Sequence, residues 1–198
     1  MRQGSLAVAV SFLLSSWGFA STWEIDPAHS SATFSIRHMT VSNVRGEFGK
    51  VTGTVNWDDA DVTKSTAEAT IDATTINTHE PKRDAHLKSP DFFDVEKNPT
   101  ITFKSTQVQK VGADHLKITG NLTIHGVTRP VILDATYTGI VKDPGGNTRR
   151  GASAKTKLNR KDFGLTWNKS LEAGGVLVGD EVDIALELEL AKKAPNKS

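Results

Sequence analysis

The chain has 198 residues, 24 basic and 23 acidic, with a formal net charge of +1 and no cysteine. That length suits one domain with a sizeable core, and the missing thiols exclude a disulfide framework, a cysteine nucleophile and a lipid-modified N-terminal cysteine. No long basic stripe or acidic tail is present, so neither nucleic acid nor an anionic membrane surface has an electrostatic footprint in the sequence.

Residues 1–20 stand apart from the rest. Arg2 is their one charge, an apolar run follows from Leu6 to Leu14, and Gly18 and Ala20 are small. This order predicts a secretory signal peptide cut after Ala20. The competing reading is an N-terminal anchor, but the run is short of the roughly 20 residues that span a bilayer. No twin arginine is present, which favours the general export route. With Arg2 removed, the basic count equals the 23 acidic residues. No later segment is long and apolar enough to cross a membrane as a helix, so the expectation is a soluble periplasmic domain over residues 21–191 and a flexible tail over 192–198.

Alternation of apolar and polar residues dominates everything after Ala20. A period of two puts one face of a strand in the interior and the other in water. The first strand is expected near Thr22–Ile25, continuing after Pro27 through Ser31–Ile36. Arg37–Val44 reads as a short helical turn. Arg45–Trp57 is a strand with Gly46, Gly49 and Gly53 permitting bends or bulges. Thr66–Ile76 carries small inward residues, Ala67, Ala69 and Ala73, which leave room inside. His79–Asn98 breaks the pattern with Pro81 and Pro90 and reads as a functional-length loop holding short helical turns. Strands resume at Thr100–Gln109, Leu116–Ile124, Arg129–Ile140, Arg150–Leu158 and Asp180–Leu190, separated by turn residues such as Pro144, Gly145, Gly146 and Asn147. About eight strands with no long helix predict an all-β fold that buries its apolar faces as a sandwich or a closed barrel, and a barrel of this strand count can hold a ligand.

Six histidines are candidates for chemistry. His79 and His86 share the long loop with Glu80, Asp84, Asp91 and Asp94, but their spacing matches no standard zinc motif. Asp84 and Ser89-Pro90-Asp91 serve equally well as helix starts or turns. Arg37 and His38 follow an apolar strand end and suit an anionic head group, or else a surface ion pair. Trp167 and Asn168 suit a lip over a cavity, or a plug. No nucleophile elbow, phosphate-binding loop or dinucleotide fingerprint is present.

Longer blocks carry a resemblance. Ile25-Asp26-Pro27-Ala28-His29-Ser30, Phe34-Ser35-Ile36-Arg37-His38-Met39 and Val44-Arg45-Gly46-Glu47-Phe48 resemble the opening of the YceI-like family. Arg83-Asp84-Ala85-His86-Leu87-Lys88-Ser89-Pro90-Asp91-Phe92-Phe93-Asp94-Val95 resembles its central loop. Asn98-Pro99-Thr100-Ile101-Thr102-Phe103, Gly120-Asn121-Leu122-Thr123-Ile124-His125-Gly126 and Arg160-Lys161-Asp162-Phe163-Gly164 follow in order. The resemblance implies an eight-stranded antiparallel, lipocalin-like barrel, exported, holding a polyisoprenoid, an isoprenoid quinone or a fatty-acid amide, sometimes as a homodimer, with no established catalytic machinery; no cofactor and no metal are expected.

On that reading the ligand tunnel is lined by Phe34, Ile36, Val51, Val55, Ile71, Ile101, Phe103, Leu116, Ile118, Leu133, Val182, Ile184 and Leu186. Arg37, His38, His79, Arg83, Asp91 and Asn168 are the mouth candidates. Two other functions compete. One is an enzyme acting on the lipid through His86 with Asp84 or Asp91. The other is a structural or stress-protective protein.

Overall fold

The computed structural model describes residues 20–172 and 174–194. The expected signal peptide, apart from Ala20, lies outside the described residues, as do 195–198 of the expected tail. The strands are β1 (Ser21–Ile25), β2 (Ser31–His38), β3 (Ser42–Phe48), β4 (Val51–Trp57), β5 (Thr66–Asp72), β6 (Ile76–Asn77), β7 (Thr100–Lys110), β8 (His115–Ile124), β9 (Val127–Lys142), β10 (Thr148–Asn159) and β11 (Val178–Lys192), with one helix, α1 (Pro81–Lys88).

These form eight strands of a closed antiparallel barrel. β1, β4, β5, β7, β8, β9, β10 and β11 pair in a ring that β11 closes onto β1, while β2, β3 and β6 continue from β11. β1 with β2, β3 with β4, and β5 with β6 are thus three bent strands. The bends shift the inward phase by one residue. Trp23 and Ile25 point inward on β1 and Ala32 on β2, and Phe48 is buried before the bend and Val51 after it. A register shift between Ser105 and Gln107 does the same in β7, where Ile101 is buried on one side and Val108 on the other. Bulges of this kind increase local twist and let the sheet close.

Arg37–Val44 is not a helical turn. β2 runs to His38, a tip of Met39, Thr40 and Val41 reverses the chain, and β3 begins at Ser42. Met39 and Thr40 take φ of 51° and 61°, a left-handed pair that makes a tight reversal without helix. In the long loop, Glu80 caps α1 by accepting from the Arg83 backbone N–H at 2.7 Å, with Pro81 at the first helical position. Asp84 instead accepts from the Thr78 N–H at 2.8 Å, and Ser89 ends the helix. β11 runs to Lys192, paired with Trp23, so the sheet takes in the first residue of the expected tail.

One end of the barrel is packed solid. Trp23 is fully buried and Trp57 nearly so, and Trp57 meets Tyr137 edge-on with centroids 4.7 Å apart. The Arg150 guanidinium lies 4.1 Å from the Trp57 ring centroid, 5.4 Å from that of Trp23 and 5.6 Å from that of Tyr137. Its Nε and Nη1 have no hydrogen-bond acceptor. The aromatic faces therefore act as its electrostatic partners.

The neighbouring Arg149 faces outward and ties the same end together. It lies 2.7 Å from Asp26, 3.1 Å from Asp143 and 3.2 Å from Glu189. Asp26 is held at about 2 by hydrogen bonds from His29, the Ala28 N–H and Arg149. Asp143 is held at about 2, chiefly by the Asn147 side chain and also by Arg149. Carboxylates held below their ordinary 3.8 stabilise the fold fully above that value, and the contribution is lost as pH falls toward 2. The melting temperature, followed by circular dichroism, is expected to drop between about pH 4 and pH 2. Arg149→Met is expected to flatten only part of that drop, because His29 and the Ala28 N–H still hold Asp26 and Asn147 still holds Asp143. A wild-type melting temperature constant across the window would contradict this assignment. Asp26, His29 and Glu189 also bring one ligand atom each within 4.8 Å of one another, but Arg149 already supplies the positive charge there.

Candidate functional site

Beyond the solid end the barrel holds an apolar cavity of about 170 Å³. Phe34, Val51, Ala69, Ile71, Ile101, Phe103, Leu122, Ile124, Leu133, Leu158, Val182, Ile184, Leu186 and Leu188 supply its wall from the strands. The sheet opens beyond β6, which pairs only with β3. Leu87 of α1, then Phe92 and Phe93, cover the cavity from the long loop, and Phe163 and Leu165 from the loop after β10. The polar side chains on the wall are Thr33, Thr102, Thr156 and Arg160.

Two glycines make the aromatic wall possible. A Cβ on Gly46 would lie 2.4 Å from Phe34 Cζ, and one on Gly120 would lie 2.4 Å from Phe103 Cζ and 2.6 Å from the Lys104 carbonyl oxygen. Both rings rest on bare backbone. Gly120→Ala is expected to drive Phe103 toward the cavity and to strain β7, at a cost of about 1–3 kcal/mol. Urea unfolding checks this, and a midpoint equal to wild type would contradict it.

Arg160 is 4% exposed, and its guanidinium is spent on the protein's own groups. Its Nε donates to the Gly179 carbonyl at 2.8 Å, and Nη1 donates to those of Leu165 at 2.5 Å and Trp167 at 2.9 Å. Nη2 lies 3.6 Å from Asp180 Oδ1. One side chain thus straps the 165–179 segment across the barrel end. Asn168 reinforces the strap, donating to the Val178 carbonyl at 2.7 Å and accepting its N–H at 3.0 Å.

Of the expected tunnel residues, Phe34, Val51, Ile71, Ile101, Phe103, Leu133, Val182, Ile184 and Leu186 stand on the wall. Val55, Leu116 and Ile118 pack in the solid part of the core, where Val55 lies opposite Trp23. Ile36 is half-buried and off the wall.

The mouth candidates do not converge. Arg37 is exposed and donates to Asn43 at 3.2 Å. His38 is half-buried, opposite Val178. Arg83 donates to the Thr78 hydroxyl and carbonyl, each at 2.8 Å, and so is fixed within its own loop. His79 faces a shallow outer groove with Arg45, Lys155, Lys157 and Asp183. Asp91 holds His86 at 2.8 Å, and the His86 ring stands edge-on to Phe92 and Trp167, with centroids 5.0 and 4.7 Å away. This pair pins the cover from outside.

The expected tunnel residues omit Leu122, Ile124, Leu158 and Leu188 on the strands, and also Phe48, Leu87, Phe92, Phe93, Phe163 and Leu165. Phe48 was hidden by the phase shift at the β3–β4 bend. The loop residues had a visible signal: Leu87, Phe92 and Phe93 are large apolar residues in an otherwise polar loop, an arrangement that needs an apolar surface to cover.

Comparison with known proteins follows the same lines. A YceI-like domain model matches residues 23–190. A UPF0312 protein of Vibrio parahaemolyticus is 32% identical over 188 residues, covering 95% of each chain. Protein YceI of Salmonella newport is 38% identical over 170 residues, covering 84% of this chain and 88% of its own. Among solved structures, the YCEI protein of Campylobacter jejuni superposes with a TM-score of 0.68 at 27% identity, covering 98% of this chain and all of its own. BcnA of Burkholderia cenocepacia gives 0.71 at 24% identity, covering 83% of this chain and 98% of its own. A polyisoprenoid-binding domain from Saccharophagus degradans gives 0.64 at 15% identity, covering 88% and 99%. The barrel, its loop cover and the match across nearly the whole described domain place this chain in the YceI-like family.

Proposed function

We propose that the protein binds a long amphipathic lipid inside the barrel and sequesters or carries it through the periplasm, the lipid being a polyisoprenoid, an isoprenoid quinone or a fatty-acid amide. The observation that carries this reading is the chemistry of the wall. Among the described residues it presents no histidine, carboxylate, serine or cysteine to a guest, and its one cation is consumed by backbone carbonyls. Such a surface can desolvate a chain, and its polar groups besides Arg160 are three threonine hydroxyls with no histidine or carboxylate on the wall to serve them as a base. Membership of the YceI-like family and the structural likeness to a polyisoprenoid-binding domain support the same reading.

Magnitudes set the ligand's size. Each buried methylene contributes about 0.8 kcal/mol, against an association cost of at least about 4 kcal/mol. A chain of roughly ten carbons or more therefore binds by burial alone. An apolar cavity of about 150 Å³ takes a benzene-sized guest, so one of about 170 Å³ admits a longer chain only when the loop cover moves. Leu87, Phe92 and Phe93 are the side chains that must yield.

Isothermal titration of lipid-stripped protein with linear isoprenoid alcohols of increasing length tests the proposal. Binding is expected to be saturable at one per barrel and to tighten about fourfold per added buried methylene. Absence of saturable binding, or affinity independent of length, would favour the structural role instead.

A further inference from the structure

The β2–β3 tip carries a feature that lipid sequestration alone does not need. Met39 and Val41 are 41% and 75% exposed, and Val176 on the adjoining ribbon is 42% exposed. The Met39 N–H donates to the Leu177 carbonyl at 2.8 Å, which joins the tip to that ribbon. The ribbon is the one strapped by Arg160, beside the cover formed by Phe92, His86 and Trp167. An exposed apolar ridge thus stands at the end of the barrel where the cavity is closed only by loops.

The charge around the ridge has one sign on the tip itself. Arg37 stands two residues before Met39, and Arg45 lies three rungs beyond the His38–Ser42 pair, opposite Ser35, where it also borders the outer groove with His79 and Asp183; both are exposed, and neither has an ion-pair partner among the described residues. No carboxylate occurs from Arg37 to Gly46. Lys169 adds a cation on the ribbon and Glu172 an exposed carboxylate, while at the same end of the barrel Asp91 of the cover, held by His86, and Asp162 are also exposed. The chain as a whole is close to neutral, so attraction to an anionic surface has to be local, and the tip is where the fold makes it local. The opposite end also exposes Ile140 and Val141, but there the cation Arg149 is already paired with Asp26, Asp143 and Glu189, and the aromatic plug separates it from the cavity.

We propose that the Met39–Val41 tip, with Val176, docks the barrel on an anionic phospholipid bilayer, apolar side chains in the interface and Arg37 and Arg45 on the phosphates, so that the loop-covered end faces the membrane. This rests on the lipid-carrier reading and assigns the place where cargo enters or leaves. Apolar side chains flanked by arginines suit the headgroup region, where both burial and charge contribute.

Co-sedimentation of the purified protein with phosphatidylglycerol-containing vesicles at low ionic strength tests it. Wild type is expected to sediment with these vesicles and to stay in solution with phosphatidylcholine alone. Met39→Glu with Val41→Glu is expected to weaken binding at least tenfold, and Arg37→Gln or Arg45→Gln about fivefold each. Val141→Glu at the far end serves as the control and is expected to bind as wild type. Failure of wild type to sediment, or unchanged sedimentation of the Met39→Glu, Val41→Glu protein, would overturn the proposal. Lipid content separates this from the carrier reading. The tip variant is expected to keep its extracted lipid. Ala69→Trp, with its cavity filled, is expected to sediment as wild type, and if it does not, the vesicles were feeding the cavity and the docking tip is disproved.

Discussion

Ala69→Trp is expected to leave the barrel folded and empty. Ala69 stands on the cavity wall, opposite Gly53 on one neighbouring strand and Phe103 on the other. An indole placed there points into a space of about 170 Å³ and fills most of it. The protein loses the volume for several chain carbons, and loss of two buried methylenes already weakens retention about tenfold. Because the space exists to receive the ring, the melting temperature should change by only a few degrees. Ala73→Trp is the informative contrast. Ala73 is 1% exposed and not on the wall, so the same ring overpacks a solid region and costs about 1–3 kcal/mol or more. Extracted lipid per mole of protein, measured beside thermal melts, separates the two. Wild-type lipid in a folded Ala69→Trp protein would move the binding site elsewhere.

Arg160→Ala is expected to be the most destabilising single change at the site. It removes the donors on the carbonyls of Gly179, Leu165 and Trp167 together and leaves Asp180 with Lys161 alone. Breaking a buried, hydrogen-bonded charge network costs about 3–5 kcal/mol, which for a domain of this size lowers the melting temperature by about 10 °C or more. Arg160→Lys keeps the charge but not the fork and should recover less than half of that loss. The 165–179 segment is expected to become a site of proteolytic nicking in both variants. A melting temperature within about 2 °C of wild type for Arg160→Ala would show that the strap is held by other contacts.

The barrel was legible in the sequence because alternation is a local signal. Leu116, Ile118, Leu122 and Ile124 announce a strand without knowledge of its partner; eight such stretches allow a sandwich or a barrel, and the family resemblance selects the barrel. What alternation hid is where strands bend. The inward face changes parity between Trp23 and Ala32 and again between Phe48 and Val51, so Phe48 read as outward. The tip at Met39–Val41 was misread because two non-glycine residues adopt positive φ, a conformation their types disfavour.

The site was legible only in part, and for a different reason. The strand wall follows from phase, but which inward residues border empty space depends on depth along the barrel. Val55, Leu116 and Ile118 are inward and yet belong to the packed end, because Trp23, Trp57 and Tyr137 fill it. The polar candidates do not converge on one mouth, and several of them already satisfy a neighbour's backbone or side chain. Arg83 binds Thr78, Asn168 binds Val178, and Asp91 binds His86. Sequence reveals a polar residue but not whether its hydrogen bonds are already taken.

Native mass spectrometry of the protein, purified from cells without detergent, tests the central claim most directly. The account predicts a discrete added mass, one per barrel, that organic extraction assigns to a single long-chain lipid class and that is missing from Ala69→Trp. An empty wild-type barrel that also takes up no isoprenoid or fatty amide on titration would contradict it.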